Sequence, residues 1–268
     1  MNHQNHNVQY QGYQEPLHNQ QNQNPHHRRK PSHSFSSESS HSHFHEGTMN
    51  DEDRIGFIRK VYGILGSQLL LTAFMCLLPY MSRSIQVIMA NNFGVALFFG
   101  IMGIVLSCAL FCIPQLARKV PVNYCLMFAF TFCEAYMVAF CCAVINDGQI
   151  VLAAAFMTAA MVVALTFYAF TTKKDFTVCG AMLFVVSACF LMLGLFTWIM
   201  GPAMRLVYCT LGVILFGVYL VIDTQLVCGG KRYSLNKEDY IYGAIILYLD
   251  ILNIFLYILQ ILAALKGE

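Results

Sequence analysis

Beyond residue 54 the chain reads as long apolar stretches separated by short polar joins. No charged residue occurs over 84–117, 148–172 or 176–200. Each of these runs exceeds the roughly 20 residues that a helix needs to cross a bilayer. Breakers mark the joins: Asn91-Asn92, Pro121, Asn146-Asp147-Gly148, Gly201-Pro202 and Gly229-Gly230. The pattern predicts seven membrane-spanning helices, near 57–81, 86–113, 121–146, 149–172, 176–200, 203–227 and 239–265. Ser234 or Asn236 is the expected cap of the seventh. On the fourth, Ala155 and Ala159, then Ala160 and Ala164, recur at helical spacing and predict close helix approach.

Residues 1–50 have the opposite character, rich in Asn, Gln, His and Ser, and hold all nine histidines. Such a segment cannot bury enough apolar surface to offset its ordering entropy. The expected organisation is a disordered tail over 1–53 and a seven-helix membrane domain over 54–268. The His-rich tract can bind metal, and Arg28-Arg29-Lys30-Pro31-Ser32 is a candidate kinase target. Both signals are weak where these residue types are simply common. The polar start lacks the form of a signal peptide, so the first span is expected to act as its own insertion signal.

Composition agrees with this division. The 268 residues are 57% apolar and 11% charged, against about 45–50% and 25% for a soluble domain. The lipid bilayer is therefore the first partner. A net charge of +2, with no basic patch interleaved with aromatics, gives no sign of a nucleic-acid partner. The eleven cysteines all lie in or at the edges of apolar segments and read as small buried hydrophobes, with no disulfide framework. No cofactor is predicted.

Charge also sets an orientation. With the tail in the cytosol, that side receives Arg54, Arg59, Lys60, Arg118, Lys119, Lys173, Lys174, Lys231, Arg232 and Lys237; the other receives Arg83, Arg205 and Lys266. Positive residues favour the cytosolic side. The asymmetry supports seven spans with a cytosolic N-terminus.

Three acids lie well inside spans: Glu134, Asp223 and Asp250. No Lys or Arg lies at comparable depth. A carboxylate at the centre of a membrane helix costs about 2.5–3.5 kcal/mol on insertion scales, so such residues are rare and usually functional. Asp223 is expected roughly 7 Å, and Asp250 roughly 16 Å, from the cytosolic ends of consecutive antiparallel helices, at 1.5 Å per residue. The two helices are expected to be neighbours. Two carboxylates there cannot both ionise cheaply, and a contacting pair titrates as a unit. They are also hard oxygen ligands suited to calcium. This makes Asp223 and Asp250 a candidate proton sensor and transient calcium site. The bland alternative is a buried hydrogen bond tying two helices together. Glu134 either lines the same cavity or is a protonated acid bonded to a neighbouring group.

The same residues carry a resemblance. FIRKVYGILGSQLLLTAF (57–74) resembles the opening helix of the Lifeguard branch of the transmembrane Bax-inhibitor-motif family. DTQLVCGGKRYSLNKEDYIYGAIILYLDILNIFLYIL (223–259) resembles its signature end, and TTKKDFT (171–177) its fourth loop. The resemblance covers about 54–268. It implies an all-α bundle of seven transmembrane helices with the seventh central. It further implies a pH-sensitive calcium leak across intracellular membranes, endoplasmic reticulum or Golgi, with the plasma membrane the other site. Such a leak lowers stored calcium and restrains apoptosis, with calcium as the transported ion. The family's paired aspartates match Asp223 and Asp250. A basic residue between the second and third helices serves as a partner in some relatives, and Arg118 is the nearest candidate. Glu134 matches no family motif, and the tail lacks the Pro- and Tyr-rich character of many relatives.

Rival readings fit less well. The third span ends in Cys-Ala-Val-Ile-Asn-Asp, without the basic triplet of a rhodopsin-type receptor. An intramembrane aspartyl protease wants Tyr-Asp and Gly-x-Gly-Asp, where this chain has Val-Ile-Asp and Tyr-Leu-Asp. A zinc hydrolase has no histidine in the spans. A non-conducting scaffold, acting on cell-death regulators or calcium channels by contact, remains the alternative to the non-enzymatic leak.

Overall fold

The computed structural model describes residues 49–197 and 201–267. The histidine tract and the Arg28–Ser32 motif lie outside them. The described residues form helices and no strand: α1 (Asp51–Met81), α2 (Arg83–Asn91), α3 (Phe93–Cys112), α4 (Pro114–Arg118), α5 (Val122–Ile145), α6 (Gly148–Thr171), α7 (Gly180–Phe196), α8 (Pro202–Cys228) and α9 (Tyr240–Lys266). A 3-10 turn, Thr177–Cys179, leads into α7. Seven of these segments are long and apolar enough to span a membrane.

The expected second span, 86–113, is two helices. Asn92 leaves helical geometry, its side chain donates to the Ile88 carbonyl, and its own carbonyl accepts from the Val95 and Ala96 amides. The candidate span therefore begins at Phe93. The shorter α2 buries Gln86 and Met89. At the join of α5 and α6, Asn146 adopts a left-handed conformation and ends α5, and the Asp147 carboxylate accepts from the Gln149 and Ile150 amides to start α6. The start of α9 departs from expectation: neither Ser234 nor Asn236 caps it. Asp239 holds the N-cap position, and its carbonyl accepts from the Gly243 amide.

α9 is the central element. It packs on α8, α1, α6 and α5, and Ile241, Ala244, Ile245, Tyr248, Ile254 and Leu259 are fully buried along it. α1 turns Phe57, Val61, Leu65, Gln68, Thr72 and Met75 inward at helical spacing. The outer helices α3 and α7 expose most of their apolar side chains, as a lipid-facing surface does. α6 departs from expectation: Ala155, Ala159, Ala160 and Ala164 are exposed, while Ala154 and Thr158 make the buried contacts. In so apolar a helix, small side chains alone do not show which face meets a neighbour.

Candidate functional site

α8 and α9 run antiparallel in a register marked by three contacts. Gly243 faces Val227, Tyr257 lies against Gly212, and the Cys209 thiol meets Gln260 at 3.7 Å. This register sets Asp250 about one helical turn, roughly 5 Å, deeper than Asp223. That offset is smaller than the difference in depth expected from the span ends. Side chains tilt toward the N-terminus of their own helix. Asp223 therefore leans deeper into the bundle while Asp250 leans back toward it, and the two carboxyl groups come within hydrogen-bonding reach.

A hydrogen bond between two carboxyls needs one proton shared between them. Asp250 is 4% exposed, and its Oδ2 has no hydrogen-bond partner. Asp223 is half-buried. Nearby on α8, the Thr224 hydroxyl is buried and also unpaired; Tyr62 of α1, whose hydroxyl is likewise unpaired, stands close to it. Among the described residues no three His, Cys, Asp or Glu side chains converge as a metal centre. Calcium takes six to eight oxygens, so two carboxyls suit an ion in passage better than one held tightly.

The other two predicted residues lie elsewhere. Arg118 donates from Nε and Nη2 to Asp239 Oδ1 at 2.9 and 2.8 Å, and its Nη1 lies 3.8 Å from Glu238. It thus pairs with acids at the start of α9, and the hydrogen bond to Asp239 raises its pKa above the ordinary value. Its place on α4, beyond the span ends, brings it to that loop. Glu134 is half-buried on α5 and faces α3, where a Cβ on Gly103 would lie 2.6 Å from its Oε1. It is not among the groups that interact with the aspartate pair.

Two loops at the basic end of α8 and α9 are tied together. Gln225, two positions after Asp223, accepts from the Phe176 amide at 3.0 Å and donates to the Lys174 carbonyl at 3.1 Å. Asp175 accepts from the Thr177 hydroxyl at 2.6 Å and from the Arg232 amide at 2.9 Å. The Thr177 hydroxyl, followed by the Arg232 amide, holds the Asp175 carboxyl below the usual carboxylate range. Lys231 donates to the Thr172 carbonyl. On α1, Arg54 donates to the Leu235 carbonyl at 3.1 Å and the Val227 carbonyl at 3.4 Å. It packs so closely on Gly229 that a Cβ there would lie 2.7 Å from the guanidinium; Gly229 also has φ +71°, which favours glycine.

Deeper in the bundle lies a chain of uncharged polar side chains that the pattern of charges does not reveal. The Gln68 amide donates to the Thr131 hydroxyl at 2.9 Å, and the Thr72 and Tyr248 hydroxyls meet at 2.7 Å. The Gln68 Oε1 is buried without a partner. The signal was available in the inward stripe of α1, which places Gln68 and Thr72 one turn apart between apolar residues.

Residues 54–267 match the family described as "Inhibitor of apoptosis-promoting Bax1". The chain is similar to "Protein lifeguard 3" of Homo sapiens, 31% identical over 211 residues, covering 77% of this chain and 68% of that protein. It is similar to "Protein LIFEGUARD 3" of Arabidopsis thaliana, 35% identical over 225 residues, covering 81% and 88%. "Protein LIFEGUARD 4" of the same plant is 37% identical over 222 residues, covering 80% and 86%.

Proposed function

The chain belongs to the family of the inhibitor of apoptosis-promoting Bax1, and from that premise we propose that it is a pH-sensitive calcium leak which lowers stored calcium and restrains apoptosis. The membrane is that of the endoplasmic reticulum or Golgi, with the basic face and the N-terminus in the cytosol. The observation that carries this reading is the pair of carboxyls, Asp223 and Asp250, in mutual reach between two candidate spans.

Sharing a proton, the pair ties α8 to α9. When that proton is lost, two like charges face one another. At about 4 Å and an effective dielectric of about 20, their repulsion is about 4 kcal/mol. That is about a thousandfold in a two-state equilibrium, enough to drive the helices apart or to draw in a divalent cation. The loops over 172–177 and 229–239 act as the cytosolic lid. Ions pass the pair without chemical change, so the aspartates are assigned no catalytic role.

The scaffold reading predicts a different result in one experiment. The purified full chain is placed in proteoliposomes containing a calcium indicator. Protein-dependent calcium flux that varies between about pH 6 and 8, where a desolvated acidic pair can titrate, supports the leak. Intact protein that moves no calcium anywhere in that range favours a scaffold acting on cell-death regulators or calcium channels.

A further inference from the structure

α1 and α6 both pack on α9 but hardly on one another. Between them lies a groove of about 810 Å³, floored by Ile251, Leu252 and Phe255 of α9. Its walls are almost wholly apolar. Ala155 and Ala159 line it rather than packing against a helix. Along α6 it extends from Gly148 to Val163 and along α1 from Tyr80 back to Leu69. At 1.5 Å per residue these walls are about 16–22 Å long. One leaflet of a roughly 30 Å hydrocarbon core is about 15 Å deep, so the groove follows a chain descending from the bundle end opposite the basic face.

The mouth at that end is polar. Tyr80 donates to the Cys142 carbonyl, and Gly148 lies against the Tyr80 ring. Arg83, which opens α2 three residues after Tyr80, donates to Gln86 Oε1 at 2.7 Å and Asn146 Oδ1 at 3.2 Å. Both partners are neutral, and among the described residues no carboxylate pairs with Arg83. An uncompensated guanidinium at the mouth of a hydrocarbon groove matches a phosphate attached to an acyl chain.

We propose that the groove between α1 and α6 holds an acyl chain of an anionic phospholipid, with the phosphate on Arg83. The floor includes Ile251, the neighbour of Asp250, and the wall includes Thr72, the partner of Tyr248. A bound chain thus supports α9 beside the carboxyl pair. The site stands whether or not the protein conducts calcium.

The test uses the full chain in phosphatidylcholine vesicles doped with phosphatidylglycerol carrying a photoactivatable group halfway along one acyl chain. Adducts mapped by mass spectrometry are expected on α6 and α1 at groove-lining positions, well above those on lipid-facing α7. Ala159→Trp and, separately, Ala155→Leu fill the groove at exposed positions. Each should reduce groove adducts severalfold while labelling of α7 stays constant. Arg83→Gln should remove a preference for phosphatidylglycerol over a phosphatidylcholine probe of about tenfold, the worth of one charge-assisted contact. Equal labelling of α6 and α7, or groove labelling unchanged by both fillings, overturns the site. A preference that survives Arg83→Gln overturns the phosphate assignment. Displacement by a sterol but not by unlabelled phosphatidylglycerol, or α6–α6 links between two copies, gives the groove to another occupant.

Discussion

Thr72→Val and Tyr248→Phe, made singly and together, measure the hydrogen bond that joins α1 to the central helix. Tyr248→Phe leaves nothing orphaned, because the Thr72 hydroxyl still donates to the Gln68 carbonyl at 2.9 Å. Its expected cost is about 0.5–1.5 kcal/mol. Thr72→Val is worse. The buried Tyr248 hydroxyl keeps only the Thr131 carbonyl at 3.5 Å, the limit of a hydrogen bond. A nearly unsatisfied buried hydroxyl costs about 1–3 kcal/mol. In the double variant both hydroxyls are gone, so the combined cost falls short of the sum. Interhelical hydrogen bonds in membranes couple by about 0.6 kcal/mol on average and about 1.7 at most. Full burial and the 2.7 Å contact place this pair in the upper half of that range. The assay is equilibrium unfolding in mixed micelles followed by circular dichroism. Single effects that add to within about 0.3 kcal/mol would refute the shared bond.

Three further outcomes follow from the basic face. Gly229→Ala forces a side chain into an extended, positive-φ conformation that is essentially reserved for glycine, at about 1–3 kcal/mol, and displaces Arg54; faster hydrogen exchange over 227–235 is expected, and unchanged exchange contradicts the Arg54 contact. Arg118→Gln breaks an exposed ion pair and should change stability by at most about 1 kcal/mol, yet speed exchange at 238–243; wild-type exchange there would show that Asp239 needs no partner. Because the Asp175 carboxyl is held below the usual range, its contribution is complete above about pH 4 and is lost only as pH falls through its lowered folded value. The 172–177 loop should therefore keep the same protease resistance from pH 8 to 5, and Asp175→Asn should not move the midpoint of a calcium response in that window. A moved midpoint would make Asp175 part of the sensor.

The span count and the two aspartates were legible because their signals are local. A charge-free run of sufficient length needs no partner to identify it, and an acid inside such a run is conspicuous. Their meeting depended on the register of α8 against α9, which close contacts at Gly212 and Gly243 set and hydropathy does not record. The faces of the helices were the least legible. Lipid is as apolar as a protein core, so α6 and α7 show no polar side by which to orient them, and the alanines of α6 were misread as a helix contact. Arg118 could not be assigned because its partner, Asp239, lies across a loop 121 residues away in sequence. The Gln68–Thr131 and Thr72–Tyr248 bonds were missed for a simpler reason: uncharged polar residues are common in membrane helices, and only the stripe on α1 distinguishes the inward ones.

Calcium flux into proteoliposomes, recorded from pH 6 to 8 for the wild type, Asp223→Asn and Asp250→Asn, tests the central claim most directly. Asparagine keeps the shape of aspartate and can still join α8 to α9, but it cannot release a proton. Wild-type flux should change across this range, and each variant should flatten or shift that response while remaining folded. Variants that reproduce the wild-type pH profile would remove the Asp223–Asp250 pair as the sensor.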